Sequence, residues 1–117
     1  MSDIRSLFVD GTRVGEMCLA TSYLSRLRGL LGTRRRSGIP LLLSPANSVH
    51  GVGMTYTLDV ASVDHAGRVL HISRLHPFGL TRPRRGVASV LEATSGAFSA
   101  LGIAPGVILT WSDGTSC

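Results

Sequence analysis

The chain of 117 residues contains no lysine, so all twelve of its basic residues are arginine. This usage is typical of GC-rich coding and by itself indicates no function. With seven acidic residues the formal net charge is +5, and much of the positive charge lies in residues 34–36 and 82–85. Arginine forks pair with phosphate in bidentate geometry. Arginines beside turns are also ordinary solvated loop charges, and both interpretations stay open.

The chain is also poor in cysteine, with one residue inside an apolar run, Cys18, and one at the C-terminus, Cys117. A single pair makes no disulfide framework, and we expect Cys18 to be a small core side chain. No Cys/His cluster has zinc spacing, so we expect no metal. Residues 51–53 lack the third glycine and the helix of a dinucleotide fingerprint, and no phosphate-binding loop is present. We therefore expect no cofactor.

Aromatic residues and long apolar runs are scarce as well. The six aromatic residues are scattered, whereas proteins that bind single strands present aromatic platforms. No helix-turn-helix or ribonucleoprotein motif occurs, so nucleic-acid binding is disfavoured. No run approaches the roughly 20 apolar residues that span a membrane, and residues 1–14 hold no secretory signal. We expect a cytoplasmic protein.

The length fits a single domain over residues 1–117, and short apolar stretches joined by glycine turns predict a mainly β (α+β) fold. Asp10-Gly11 is a favoured two-residue turn, residues 64–67 form a second hairpin signature, and Gly102 is a helix stop. We expect a β-sandwich or barrel-like core of about seven mostly antiparallel strands with two short helices. The predicted strands are residues 6–9, 12–20, 39–43, 58–63, 68–72, 87–93 and 107–111, and the helices 21–32 and 95–101.

Four stretches, taken in order, carry a resemblance to a known family. They are RLRGLLG (26–32), VHGVGM (49–54), LDV with DHAGRV (58–60 and 64–69), and VLE followed by LGIAPG (90–92 and 101–106). Together they resemble the family catalogued as domain of unknown function 192, over residues 14–111. The resemblance implies a compact, mostly β domain and brings no activity with it.

This chain departs from the family pattern at two places. Thr55 follows Met54 where the family often has Lys or Arg, and Thr57 stands where proline is common before the Leu-Asp pair. The closing turn has Gly106-Val107 instead of Gly-Asp. If relatives bind a charged group at these positions, the resemblance implies that this member binds differently or not at all.

Three side chains could carry chemistry. His50 lies in a loop of small residues, and imidazole titrates near neutral pH and ligates metals. Asp59 and Glu92 interrupt apolar runs, where a carboxylate is costly unless it is paired or hydrogen-bonded. The three could converge on a metal or a general-base site. Alternation along a strand could instead expose the carboxylates, or they could be structural, accepting backbone N–H groups or pairing with an arginine such as Arg26 or Arg28.

The leading hypothesis is a small non-catalytic binding or accessory domain, because loops on a rigid β scaffold usually carry binding. We expect its loop-lined cleft around His50, Met54, Asp59 and the 75–85 loop. We expect an anionic small molecule or an acidic protein surface as the partner. The alternatives are a metal-assisted or general-base enzyme and, more weakly, phosphate-backbone binding by the arginine clusters. A serine hydrolase is disfavoured because no nucleophile elbow occurs. The candidate binding residues are His50, Met54, Tyr56, Asp59, Arg82, Arg84 and Arg85.

Overall fold

The computed structural model describes residues 3–20, 39–45, 57–75 and 85–112. These ranges contain seven strands and one helix, each within three residues of its predicted bounds. The predicted helix over residues 21–32 lies outside the described residues. The elements are β1 (Asp3–Val9), β2 (Thr12–Ala20), β3 (Leu41–Leu43), β4 (Leu58–Val63), β5 (Val69–Leu75), β6 (Ser89–Thr94), α1 (Ala97–Leu101) and β7 (Leu109–Trp111).

The strands form one sheet in the order β5-β4-β6-β3-β2-β1-β7. The β2–β3 pair is parallel and the other pairs are antiparallel. The mainly β fold is therefore confirmed. The two outer strands approach each other at an isolated bridge between Arg68 and Ile108, and Val69 donates its N–H to the Val107 carbonyl at 2.9 Å. The sheet thus curls toward a barrel but is not closed by a continuous ladder.

Both hairpin turns match their sequence signals. Asp10 and Gly11 have φ angles of 50° and 86°, the positive values that the predicted Asp-Gly turn requires. In the second hairpin, Asp64 Oδ1 accepts the backbone N–H groups of Ala66 and Arg68, each at 2.9 Å. These side-chain bonds replace backbone partners that the turn removes.

The second hairpin reaches the far edge of the sheet through Gly67. Its φ is 89°, and its carbonyl accepts the N–H of Leu109 at 2.7 Å. A Cβ atom at this position would collide with the Leu109 carbonyl oxygen. A residue with a side chain could not bring β7 this close, so the glycine is needed where the two edges of the sheet meet.

Alternation along the strands divides the buried side chains between two faces. On β2, Met17 and Leu19 are buried, whereas Cys18 between them is only half-buried. Cys18, expected to be a small core side chain, is thus half-buried and lies on the opposite face from Met17 and Leu19, because successive residues of a strand alternate. The larger of two buried apolar clusters lies on the face of Met17 and Leu19. It comprises Leu7, Val9, Met17, Leu19, Leu42, Ala61, Val63, Val69, Leu91, Ala93, Phe98, Ile103 and Leu109.

Within the described ranges, no helix is long and apolar enough to cross a membrane.

Candidate functional site

Asp59 is held where β4 passes the start of α1. Its neighbours Leu58 and Val60 are buried on one face of β4, so alternation directs Asp59 to the other face. Its Oδ2 accepts the backbone N–H of Gly96 at 2.9 Å, and Gly96 has a φ of 89° directly before the helix. The carboxylate thus fastens the entry of α1 to the sheet. This is the backbone-accepting role that the sequence left as one alternative.

Arg74 stands opposite Asp59 on the neighbouring strand β5. Its Nε lies 4.0 Å from Asp59 Oδ1, and the two side chains are 65% and 13% exposed respectively. An ion pair with one exposed partner contributes little to stability, with a typical value of about 0–1 kcal/mol. The pairing matters more for the charge of this region, because it places a guanidinium group beside a half-buried carboxylate.

An open groove of about 670 Å³ runs beside this pair, between β5 and α1 with the turn that follows it. Sites for small molecules typically occupy about 300–1,000 Å³, so the groove has the size for one. The described residues that line it are Asp59, Ile72, Ser73, Arg74, Phe98, Ser99, Gly102, Ile103 and Ala104.

Apolar side chains form the floor of the groove. Phe98 and Ile103 belong to the core and are 3% and 4% exposed, and half-buried Ile72 packs against the same cluster. The backbone at the end of α1 is hydrogen-bonded internally: the Phe98 carbonyl accepts the N–H of Ile103 at 2.9 Å, and the Ser99 carbonyl accepts that of Gly102 at 3.4 Å. Among the described lining residues, the charged side chains are Asp59 and Arg74.

Glu92 does not share this groove. On β6 it pairs with Val60, whereas Asp59 pairs with Ala93 one position along. Because successive residues of a strand point to opposite faces, Glu92 and Asp59 lie on opposite sides of the sheet. Glu92 is fully buried and belongs to the face of a second apolar cluster that includes Val60 and Leu43. The two carboxylates do not converge, and alternation does not expose Glu92 to water.

The remaining predicted binding residues fall into two groups. Arg85 is exposed and precedes β6 at the Val63–Ser89 end of the β4–β6 pair, whereas Asp59 lies near the other end. Ser89 and Ala93 are separated by about 13 Å of strand, so Arg85 is not beside Asp59. The other binding candidates lie outside the described residues: His50, Met54, Tyr56, Arg82 and Arg84. The same is true of Arg26 and Arg28, which were considered as structural partners of a carboxylate.

Sequence reasoning missed most of the groove. Arg74 and Ser99 were not expected to face a site, and no motif marks either residue. In the described parts of the chain, no three His, Cys, Asp or Glu side chains are grouped as a metal site would need. The combination found instead is one guanidinium, one carboxylate and an apolar floor.

Comparison with functionally curated proteins gives no match. Among solved structures, the chain is similar to a protein of unknown function from Novosphingobium aromaticivorans DSM 12444, with 25% identity, a TM-score of 0.71, and coverage of 92% of this chain and 85% of that one. It also shares its fold with a proposed transcription regulator from Sinorhizobium meliloti 1021, with 22% identity, a TM-score of 0.72, and coverage of 94% and 92%.

The family comparison covers nearly the whole chain. The model of DUF192, described as an uncharacterized ACR, matches residues 6–111, which runs from β1 to the end of β7. This range includes every described residue of the groove. The chain therefore belongs to the family of domain of unknown function 192.

Proposed function

We propose that this chain is a small non-catalytic binding domain that takes a small molecule in the groove between β5 and α1. The observation that carries the proposal is a groove of about 670 Å³ with an exposed guanidinium at its wall and buried apolar side chains at its floor. A concave surface with an apolar lining and a few polar groups is the usual form of a ligand site.

The same geometry favours binding over catalysis. One oxygen of Asp59 accepts the Gly96 N–H, and the other faces Arg74, so the carboxylate is engaged by the protein. A general base must reach the proton that it abstracts, and Asp59 is only 13% exposed. Glu92, the other carboxylate considered for catalysis, lies on the opposite face of the sheet.

The connections of β4 and β5 support a wider binding region around the groove. The chain enters β4 after Thr57 and leaves β5 at Leu75, which pairs with Leu58 next to Asp59. The segment that carries the candidates of residues 50–56 therefore joins the sheet at this end, whereas residues 82–84 directly precede Arg85, which lies toward the other end. We propose an anionic small molecule in the groove, or an acidic protein surface across this region, as the partner of a cytoplasmic protein.

Nucleic acid is the less favoured partner. Binding to single strands uses exposed aromatic faces on which bases stack. The aromatic side chain among the described groove residues is Phe98, which is 3% exposed and packed in the core. Its ring face is not available for stacking.

The test is a thermal-shift screen of the full chain against organic acids, amines, nucleotides and sugars. A ligand at 100 times its Kd stabilises a protein by about 2.7 kcal/mol, which for this size raises Tm by about 11 °C. Ala104→Phe would fill the groove from its exposed rim. Ala100→Phe, on the exposed side of α1 and away from the lining, is the matched control.

We expect the Tm shift to disappear in Ala104→Phe and to persist in Ala100→Phe. A screen without any hit, or a hit that survives in both variants, would contradict the proposal. If NMR showed that the protein converts the ligand to a product, and if Asp59→Asn abolished this conversion, the enzyme alternative would replace the binding proposal.

A further inference from the structure

Resting on the proposed function, we infer that the ligand is a small organic acid with an apolar part, and that Arg74 binds its carboxylate. The argument begins with the donors of Arg74. In the described part of the structure, Arg74 contacts Asp59 through Nε, at 4.0 Å, which is beyond hydrogen-bonding distance. With the side chain 65% exposed, both terminal Nη groups are left for a ligand. A guanidinium fork binds a carboxylate through two parallel N–H bonds.

A cationic ligand is disfavoured because little of the Asp59 carboxylate is exposed to the groove. Its Oδ2 already accepts the Gly96 N–H at 2.9 Å, and its side chain is 13% exposed. An ammonium group would also have to approach the Arg74 guanidinium, and like charges this close repel each other. The accessible charge in the groove is positive.

The rest of the groove defines the remainder of the ligand. Half-buried Ile72 presents carbon surface to the groove, and the small exposed parts of Phe98 and Ile103 complete the apolar lining. The Phe98 and Ser99 carbonyl groups at the end of α1 are occupied by the N–H groups of the following turn, which lessens their repulsion of an anion. Inorganic anions would leave the apolar floor uncovered, so an acid that carries an alkyl or aromatic group fits the groove better.

The experiment uses three probes of equal length on the full chain: hexanoate, hexanamide and hexylamine, with acetate as the short acid. Chemical shifts of the backbone amides report the site. We expect hexanoate to shift the signals of Ile72, Arg74 and Ser99, and to bind at least tenfold more tightly than acetate, since each buried methylene contributes about fourfold. Hexanamide and hexylamine should bind at least tenfold more weakly than hexanoate, because neither offers a carboxylate to Arg74.

Arg74→Gln removes the charge and retains much of the side chain. We expect it to weaken hexanoate binding about tenfold, the effect of losing a charge-assisted hydrogen bond. Arg13→Gln is the control, because Arg13 is an exposed arginine on β2 outside the groove. Equal weakening in both variants would indicate a general charge effect and overturn the role of Arg74.

Failure of this inference can be separated from failure of the proposed function. Binding of hexanamide or hexylamine as tight as that of hexanoate, or an unchanged affinity in Arg74→Gln, overturns the acid class and leaves a binding domain. The same holds if hexanoate causes no chemical-shift change while the thermal-shift screen yields a groove ligand of other chemistry. If hexanoate does not bind and the screen gives no Tm shift, both proposals are overturned.

Discussion

Replacing Gly67 with alanine tests the contact between the two edges of the sheet. An alanine at φ 89° costs about 1–2 kcal/mol, because Cβ is crowded in the left-handed region. The new Cβ would also displace the Leu109 carbonyl and disturb the 2.7 Å bond from Leu109 N–H to Gly67, a loss of about 1–2 kcal/mol. We therefore expect unfolding free energy to fall by about 2–4 kcal/mol.

The measurement is thermal unfolding followed by circular dichroism. For 117 residues, the typical unfolding entropy of about 2.1 cal/mol/K per residue converts 1 kcal/mol into about 4 °C. Gly67→Ala should thus lower Tm by about 8–16 °C. Gly11→Ala is the matched control, since Gly11 has φ 86° and open space around its Cβ position. It should lower Tm by about 4–8 °C. A Gly67→Ala loss no larger than the Gly11→Ala loss would refute the reasoning.

Three further variants probe the core, the hairpin and the buried acid. Phe98→Ala should lower the free energy of unfolding in urea by about 3–5 kcal/mol because it leaves a cavity; a loss below 1 kcal/mol would contradict the burial of Phe98. Asp64→Ala removes the acceptor of two backbone N–H groups and should lower Tm by about 4–8 °C, with no change contradicting those bonds. Glu92→Ala leaves a fully buried position unfilled and should lower the free energy of unfolding in urea by about 2–4 kcal/mol. The control Glu16→Ala, at an exposed position, should change it by no more than about 0.5 kcal/mol. Equal losses in the two variants would contradict the burial of Glu92.

The elements of the fold could be predicted because local signals determine them. The Asp10-Gly11 turn has the positive φ angles that its sequence implies, and α1 ends at Gly102 in the left-handed conformation. Both turns depend on interactions within a few residues, which a single sequence displays. Which strands become neighbours depends on distant parts of the chain, so the parallel β2–β3 pair and the order of the sheet could not be predicted in this way.

The groove was missed because of the register between β4 and β5. Val63 pairs with Val69 beside the turn, and an unbroken ladder from that pair would place Asp59 opposite Ser73. Asp59 instead pairs with Arg74, since the register shifts by one residue between Ser62 and Val63. A bulge adds one residue to a strand and leaves little trace in its hydrophobic pattern. The partner of Asp59, and with it the charge of the candidate site, was therefore hidden from sequence reasoning.

The pairing of β1 with β7 has a consequence for how the protein folds. Leu7 lies opposite Trp111, although the two are separated by nearly the whole chain. During synthesis β1 and β2 can form their hairpin early, but the outer edge of β1 must wait until the last strand has left the ribosome. Pairings this distant in sequence slow folding, and an exposed edge can capture other chains meanwhile. Until β7 arrives, the outer edge of β1 is thus a place where the nascent chain can pair with another molecule.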